Sequence, residues 1–263
     1  MKNFMISVNM FRPFGINPIV IFNSIIRFPQ FFIDFQKLKK SNIDNNEFPF
    51  GSFFPCIHDK YESSGIAKGH YFFQDLFVAN SIFLNSPNRH IDIGSRIDGF
   101  VAHVASFRKI KVVDIRALNS NIDNLEFIQA DLMSELPHEL IDASDSVSCL
   151  HTIEHFGLGR YGDPINANGH LIGFYNLISI LRPKGILYFS TPIGPQRIEF
   201  NAHRVFSISY LINKMFAGFV TIKAFSYVDD HGNFHKHVDL NEELINTNFG
   251  CTYGCGIFEL VKI

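Results

Sequence analysis

From residue 89 onward, short apolar runs alternate with helical patterns, and this rhythm restricts the fold more than any other feature of the chain. The runs are "HIDIG", "KVVDI", "LEFIQADL", "DSVSCL", "GILYFSTP", "VTIKAFSYV" and "GIFELVKI". The first ends in Gly94, the second at Asp114, the third near Asp131 and the fourth at Leu150. Between them, "GFVAHVAS", residues 167–181 and "SISYLINKMF" carry helical spacing. Buried strands that alternate with helices predict an α/β fold with a doubly wound, mostly parallel sheet. In such a sheet a ligand lies across the carboxyl ends of the strands, near the point where their order reverses.

Residues 1–65 lack this rhythm. They read as a helical N-terminal extension packed on the main domain, residues 66–263. Proline and glycine recur at 13, 15, 18, 29, 49, 51 and 55. One helix is expected from Pro18 to Lys40, broken near Pro29. "GHYFFQDLFVANSIFLN" predicts another, with its apolar residues at 72, 73, 76, 77, 78, 82, 83 and 84 forming a broad buried face. The chain has 30 Phe and no Trp. Strings such as "FPQFF" and "FPFGSFFP" read as AT-rich codon usage plus core packing. The functional alternative is a greasy surface for a lipid-linked substrate or a membrane face.

Bulk properties exclude several classes. Net charge is −2, with no long basic block, so no nucleic-acid partner is expected. Asn23, Arg27, Pro29 and Asp34 interrupt the apolar segment Ile16–Phe35. No uninterrupted run reaches the roughly 20 residues of a spanning helix, so peripheral membrane contact is the most that is expected. The apolar start is broken by Asn9, Arg12 and Pro13, unlike a secretory signal. Cys56, Cys149, Cys251 and Cys255 show no paired C-x-x-C spacing. A reduced, cytoplasmic protein is the simplest expectation. Cys251 and Cys255 supply two potential metal ligands, a weak signal alone.

The loop after the first strand reads Gly94-Ser95-Arg96-Ile97-Asp98-Gly99. A nicotinamide-binding loop needs a middle glycine, and Asp98 suits a pyrophosphate poorly. A ligand without phosphate fits better, and S-adenosylmethionine is one. Here the sequence resembles class I S-adenosylmethionine-dependent methyltransferases. "HIDIGSRIDG", "VVDIR", "IQADL", "DSVSCLHTIEH" and "LRPKGILYFSTP" stand in family order across residues 89–263. More narrowly, "GHYFFQDL", "LHTIEHFGLGRYGDP" and "FNAHRVF" resemble a bacterial branch associated with surface-glycan genes. The resemblance implies a Rossmann-like sheet of seven strands with an antiparallel last strand. It implies that Gly94 and Ser95 approach the cofactor's amino acid portion. Arg96 either reaches the cofactor carboxylate or obstructs binding. Asp114 would take the ribose hydroxyls and Asp131 the adenine amino group, with Ala130 and Leu132 beside the ring. Tyr71, with His70, Gln74 and Asp75, lies where the family folds a helix over the cofactor. Strand-end aspartates are also common turn formers.

His151, Glu154 and His155 spell H-x-x-E-H. On a helix that string is a zinc-peptidase signature. Here it follows a buried strand and precedes Gly157, Gly159, Gly162 and Pro164, so a long helix is not expected. It resembles the acceptor end of two metal-dependent groups in the same superfamily, the ubiquinone-pathway O-methyltransferases and the small-RNA 2′-O-methyltransferases. That resemblance adds His203, after the fifth strand. It implies a divalent metal held by His151, Glu154, His155 and His203, and such donors favour Mn, Fe, Co, Ni or Zn. A metal-free site with His155 or His203 as base stays open, as does a structural role. Arg160, Tyr161 and Asp163 lie on a glycine-bearing loop of the kind that covers substrates. Arg204 either binds an acceptor anion or pairs with Glu199. The expected function is O-methyl transfer to a sugar or glycan precursor. The alternatives are a non-catalytic Rossmann-like module of a glycan-synthesis complex and a metal-dependent hydrolase.

Overall fold

The computed structural model describes residues 15, 17–41 and 48–263. Contacts divide the chain into two units, Met1–Ile66 and Ala67–Ile263.

In the first unit, helix α1 runs Pro18–Ser41 and passes through Pro29 without the expected break. Side chains on both sides of the proline are tied to the segment that follows. Arg27 donates to His58 Nδ1 at 3.0 Å, which leaves His58 Nε2–H to donate to Ser24 Oγ at 2.9 Å. Arg27 also lies 4.3 Å over the Tyr61 ring. Beyond Pro29, Lys60 pairs with Asp34 at 3.4 Å, and Phe31 and Phe35 meet Phe53 edge-on. The partnered side of α1 thus combines Ser24, Arg27 and Asp34 with Phe31 and Phe35. Ile19, Ile21, Phe22, Ile25, Ile26 and Ile33 are exposed. By length and composition α1 is able to cross a membrane, which its interrupted apolar run did not disclose.

In the second unit, α2 (His70–Asn85) precedes β1 (His90–Ile93). A wide turn at Ile97–Val101 leads into α3 (Ala102–Ala105), then β2 (Ile110–Asp114), β3 (Leu125–Gln129) and β4 (Ser144–Leu150). Helix α4 (Gly169–Ile180) runs directly into β5 (Leu181–Ile193). Strands β6 (Arg197–Glu199) and β7 (His203–Val205) form a separate hairpin. The sheet is completed by β8 (Val220–Val228), β9 (Phe234–His235) and β10 (Gly254–Lys262).

The sheet order is β3-β2-β1-β4-β5-β10-β8-β9. Strands β1 to β5 pair in parallel, and β10 is antiparallel to both β5 and β8. This is the expected Rossmann-like methyltransferase fold, with its strand order reversing beside β1. The sheet has eight strands, one more than expected. The extra one, β9, is folded back on β8 by Asp229, whose carboxylate accepts the amides of His231 and Asn233 and the His235 ring. No helix crosses between β2 and β3.

Alternate residues of each strand point to opposite faces. Ile91, Ile93, Val113, Val147, Cys149 and Phe189 pack with Phe174 of α4 on one side. Val112, Leu150, Tyr188 and Ile257 pack with Val78, Ile82 and Phe100 on the other. Helix α2 does not bury its apolar face as expected. Phe72, Leu76, Phe83 and Leu84 are exposed, while Gln74, Asp75 and Ser81 are buried with Val78 and Ile82. Its inward side faces a polar region at the strand ends.

Candidate active site

That polar region is a cavity of about 340 Å³, within the range of small-molecule sites. Gly94, Ser95, Arg96, Asp114, Asp131, Leu132 and Tyr71 all line it, as do His151 and His155. Gly94 has φ +70°, and a Cβ there would collide with Thr152 Cγ2, so both backbone and space demand glycine. Two residues earlier, buried Asp92 accepts hydrogen bonds from Ser95 N, Ser95 Oγ and Ser148 Oγ. These bonds pin the turn. Burial raises the Asp92 carboxyl to about 6, against the pull of its serine donors.

Other polar residues at the cavity are already engaged. Arg96 is held by Asp98 through contacts of 3.1 and 2.8 Å. Asp114 accepts the Arg116 guanidinium at 2.9 and 2.6 Å and the Arg116 amide at 2.8 Å. Arg116 in turn lies 4.6 Å over the Tyr161 ring. Asp131 accepts the Met133 amide at 2.8 Å, so it both shapes a turn and faces the cavity. From α2, Tyr71, Gln74 and Asp75 close one side.

The H-x-x-E-H string is not on a long helix. His151 leaves β4 with φ +48°, and Ile153–His155 is a single tight turn. His151 Nδ1 lies 2.7 Å from Glu154 Oε1. Glu154 is 1% exposed, and its other oxygen accepts Thr191 Oγ1 at 3.5 Å. Burial opposes a charge on His151, yet Cys255 and Glu154 outweigh it and hold the imidazole well above its usual range. Glu154 is likewise held below its usual range by His151, against its own burial. His155 donates Nδ1–H to the Ala202 carbonyl at 2.7 Å, and burial lowers its pKa. Its free Nε2 is 3.9 Å from Glu154 Oε1.

His203 is off the cavity lining, though within electrostatic reach of Glu154 and His151. It sits on β7 with Nε2 3.3 Å from Glu199, its ring beside Tyr253, and it does not line the cavity. The structure therefore gathers His151, Glu154 and His155 but turns His203 toward its own hairpin. Among the described residues, the donor atoms that converge within 4.8 Å of one another belong to His70, His151 and Cys255. Arg204 does not pair with Glu199. It is buried and donates to the carbonyls of Glu154, Phe156, Asn166 and Ala167. Asp163 organises the adjoining loop by accepting the amides of Gly157, Gly159 and Tyr161.

A family model described as "Caenorhabditis protein of unknown function, DUF268" matches residues 101–250. The chain belongs to the DUF268 family. Curated proteins yield no sequence match to it. Among solved structures, the [4+2]-cyclase SpnF aligns with a TM-score of 0.51 at 13% identity, covering 72% of this chain and 80% of its own. The 1,6-didemethyltoxoflavin-N1-methyltransferase of Burkholderia thailandensis, with bound 1,6-didemethyltoxoflavin and S-adenosylhomocysteine, aligns with a TM-score of 0.50 at 14% identity. That alignment covers 72% of this chain and 78% of the other. At such identities the likeness is one of fold.

For this DUF268 chain, the sequence pointed to the cavity but not to Asp92, Thr152 or the convergence of His70 with Cys255. Asp92 carried a signal, a carboxylate two residues before the strand-ending glycine. Thr152 carried none, since its role depends on where β4 meets β1. His70 and Cys255 meet only because α2 and β10 are neighbours in the fold.

Proposed function

We propose that this chain is an S-adenosylmethionine-dependent O-methyltransferase whose acceptor is a hydroxyl of a sugar or surface-glycan precursor. One observation carries the reading: a single cavity joins the strand-end set Gly94, Asp114 and Asp131 to a histidine with a committed tautomer. A carbonyl only accepts, so His155 Nδ1 bears the hydrogen and Nε2 keeps its lone pair. His155 Nε2 would take the acceptor hydroxyl's proton as the oxygen attacks the methyl carbon and the carbon–sulfur bond breaks. Such a base contributes about 10²–10⁴-fold. The Burkholderia N1-methyltransferase, which shares the fold and holds S-adenosylhomocysteine, supports the cofactor assignment. Asp114 would exchange Arg116 for the ribose hydroxyls, and Arg116 would remain stacked on Tyr161.

The exposed apolar side of α1 supports work at the cytoplasmic face of a membrane, where lipid-linked glycan precursors are found. A second reading follows from the Asp114–Arg116 pair, which engages the carboxylate that ribose hydroxyls would need. On that reading the fold serves another purpose, as its use by a [4+2]-cyclase allows. Calorimetric titration with S-adenosylmethionine separates the two. Binding that weakens by tenfold or more in Asp114→Ala supports methyl transfer. Absence of binding to the wild-type chain sinks it. With an accepted sugar substrate, His155→Ala should lower turnover by about 10²-fold or more.

A further inference from the structure

Three side chains from distant parts of the chain meet beside the cavity. His70 opens α2, His151 follows β4, and Cys255 is the second residue of β10. One donor atom of each lies within 4.8 Å of the other two. We propose that His70, His151 and Cys255 bind a thiophilic divalent cation of the zinc class, with Glu154 orienting His151.

The strongest support is His151. Its Nδ1 is spent on Glu154 at 2.7 Å, so Nε2 is the nitrogen left to bind. That atom is buried without a hydrogen-bond partner, on a side chain 4% exposed. A buried polar atom left unpaired is destabilising, and an ion at this point removes the deficit. A carboxylate on the far nitrogen of a ligating imidazole is the usual way a protein fixes the tautomer and raises ligand basicity. Glu154 is therefore a positioning residue, where the sequence had suggested a direct ligand.

Cys255 supplies the second argument. It is fully buried, and its sulfur is committed to nothing strong: the nearest acceptors are Gln74 Oε1 at 3.7 Å and the Gly256 carbonyl at 3.9 Å. One sulfur and two imidazoles select Zn²⁺ or Co²⁺ over the oxygen-loving Mg²⁺ and Ca²⁺. Binding would release the His151 Nε2 proton and the Cys255 thiol proton to solvent. Three protein ligands leave one position of a tetrahedral ion open, as in catalytic rather than structural zinc sites. His151 also lines the cavity, so on the methyl-transfer reading the open position is where an acceptor hydroxyl would be held. Metal binding itself does not depend on that reading.

The test is titration of the metal-free full-length chain with Co²⁺, followed by competition with Zn²⁺. We expect about one equivalent bound, with a sulfur-to-cobalt charge-transfer absorption that Cys255→Ser abolishes. His70→Ala should weaken Co²⁺ binding by at least tenfold, and Glu154→Gln by about 10–100-fold with the absorption retained. Cys251→Ser should change nothing. Circular dichroism establishes that each variant is folded, and His70→Ala keeps the test decisive should the buried cysteine variant fail to fold. Absence of binding to the wild-type chain at micromolar Co²⁺ overturns the proposal, as does an unchanged spectrum in folded Cys255→Ser. S-adenosylmethionine titration of the metal-free chain is a separate readout, so either reading can fail without the other.

Discussion

Gly94 is where a single side chain decides the most. Its φ of +70° and the closeness of the Thr152 side chain mean that Gly94→Ala meets both strain and a clash. The positive φ alone costs about 1–3 kcal/mol. Thermal unfolding should show that loss, and cofactor affinity should fall with it. Asp92 gives a prediction in pH. Its folded value of about 6 lies above the ordinary 3.8, so the folded state holds the proton more tightly than the unfolded one. Its contribution is therefore fully present below about pH 4 and is lost as pH rises through about 6. Denaturant melts of the wild type and Asp92→Asn across that window should differ by a falling curve worth about 3 kcal/mol. A flat difference would place the Asp92 proton equally in both states. Gly94, Asp114 and Asp131 were legible because strand ends can be read from apolar runs. Thr152, His70 and Cys255 were not, because spacing along the chain says nothing about which side chains two elements bring together.

The loop after β4 shows how one element is held. Three backbone amides converge on the Asp163 carboxylate, and Arg204 ties four carbonyls around the same segment. Asp163→Ala should release Tyr161 from the cavity rim and weaken ligand binding by about tenfold, the equivalent of one charge-assisted hydrogen bond. The melting temperature should move only slightly; a large drop would make the loop a structural brace rather than a cover. Helix α1 carries the other prediction at this scale. Its open side carries Ile19, Ile21, Phe22, Ile25, Ile26 and Ile33, unlike the polar outer face of a water-facing helix. The chain should co-sediment with vesicles containing anionic lipid, and the paired change Ile25→Glu and Ile26→Glu should release it. A wild-type chain that stays in the supernatant would end the membrane reading. Helix positions in both units were legible from periodicity. Which face α2 turns inward was not, because a polar cavity reversed the usual preference.

Over the whole molecule, the mostly parallel sheet and its antiparallel last strand were legible from the succession of strands and the family resemblance. The extra strand β9 was not, since it spans two residues and depends on the turn that Asp229 organises. The cavity sits where the strand order reverses, so a ligand there contacts β1, β2 and β4 together and stabilises the unit as one body. S-adenosylmethionine at 100 times its dissociation constant should add about 2.7 kcal/mol, a rise of roughly 5–10 °C in melting temperature for a unit of this size. No shift would contradict the cofactor assignment.

The position of β10 has a consequence for how the molecule is made. This strand is translated after every other strand of the sheet, yet it lies in the interior, between β5 and β8. Until Gly254–Lys262 is available, β5 and β8 present open edges to each other and to other chains. Cys255 arrives with the same strand, so the cluster it forms with His70 and His151 and the closed sheet come into being in one event. A nascent or truncated chain lacking these residues would keep both edges unpaired. Arrival of β10 thus completes the sheet and the cluster in a single step.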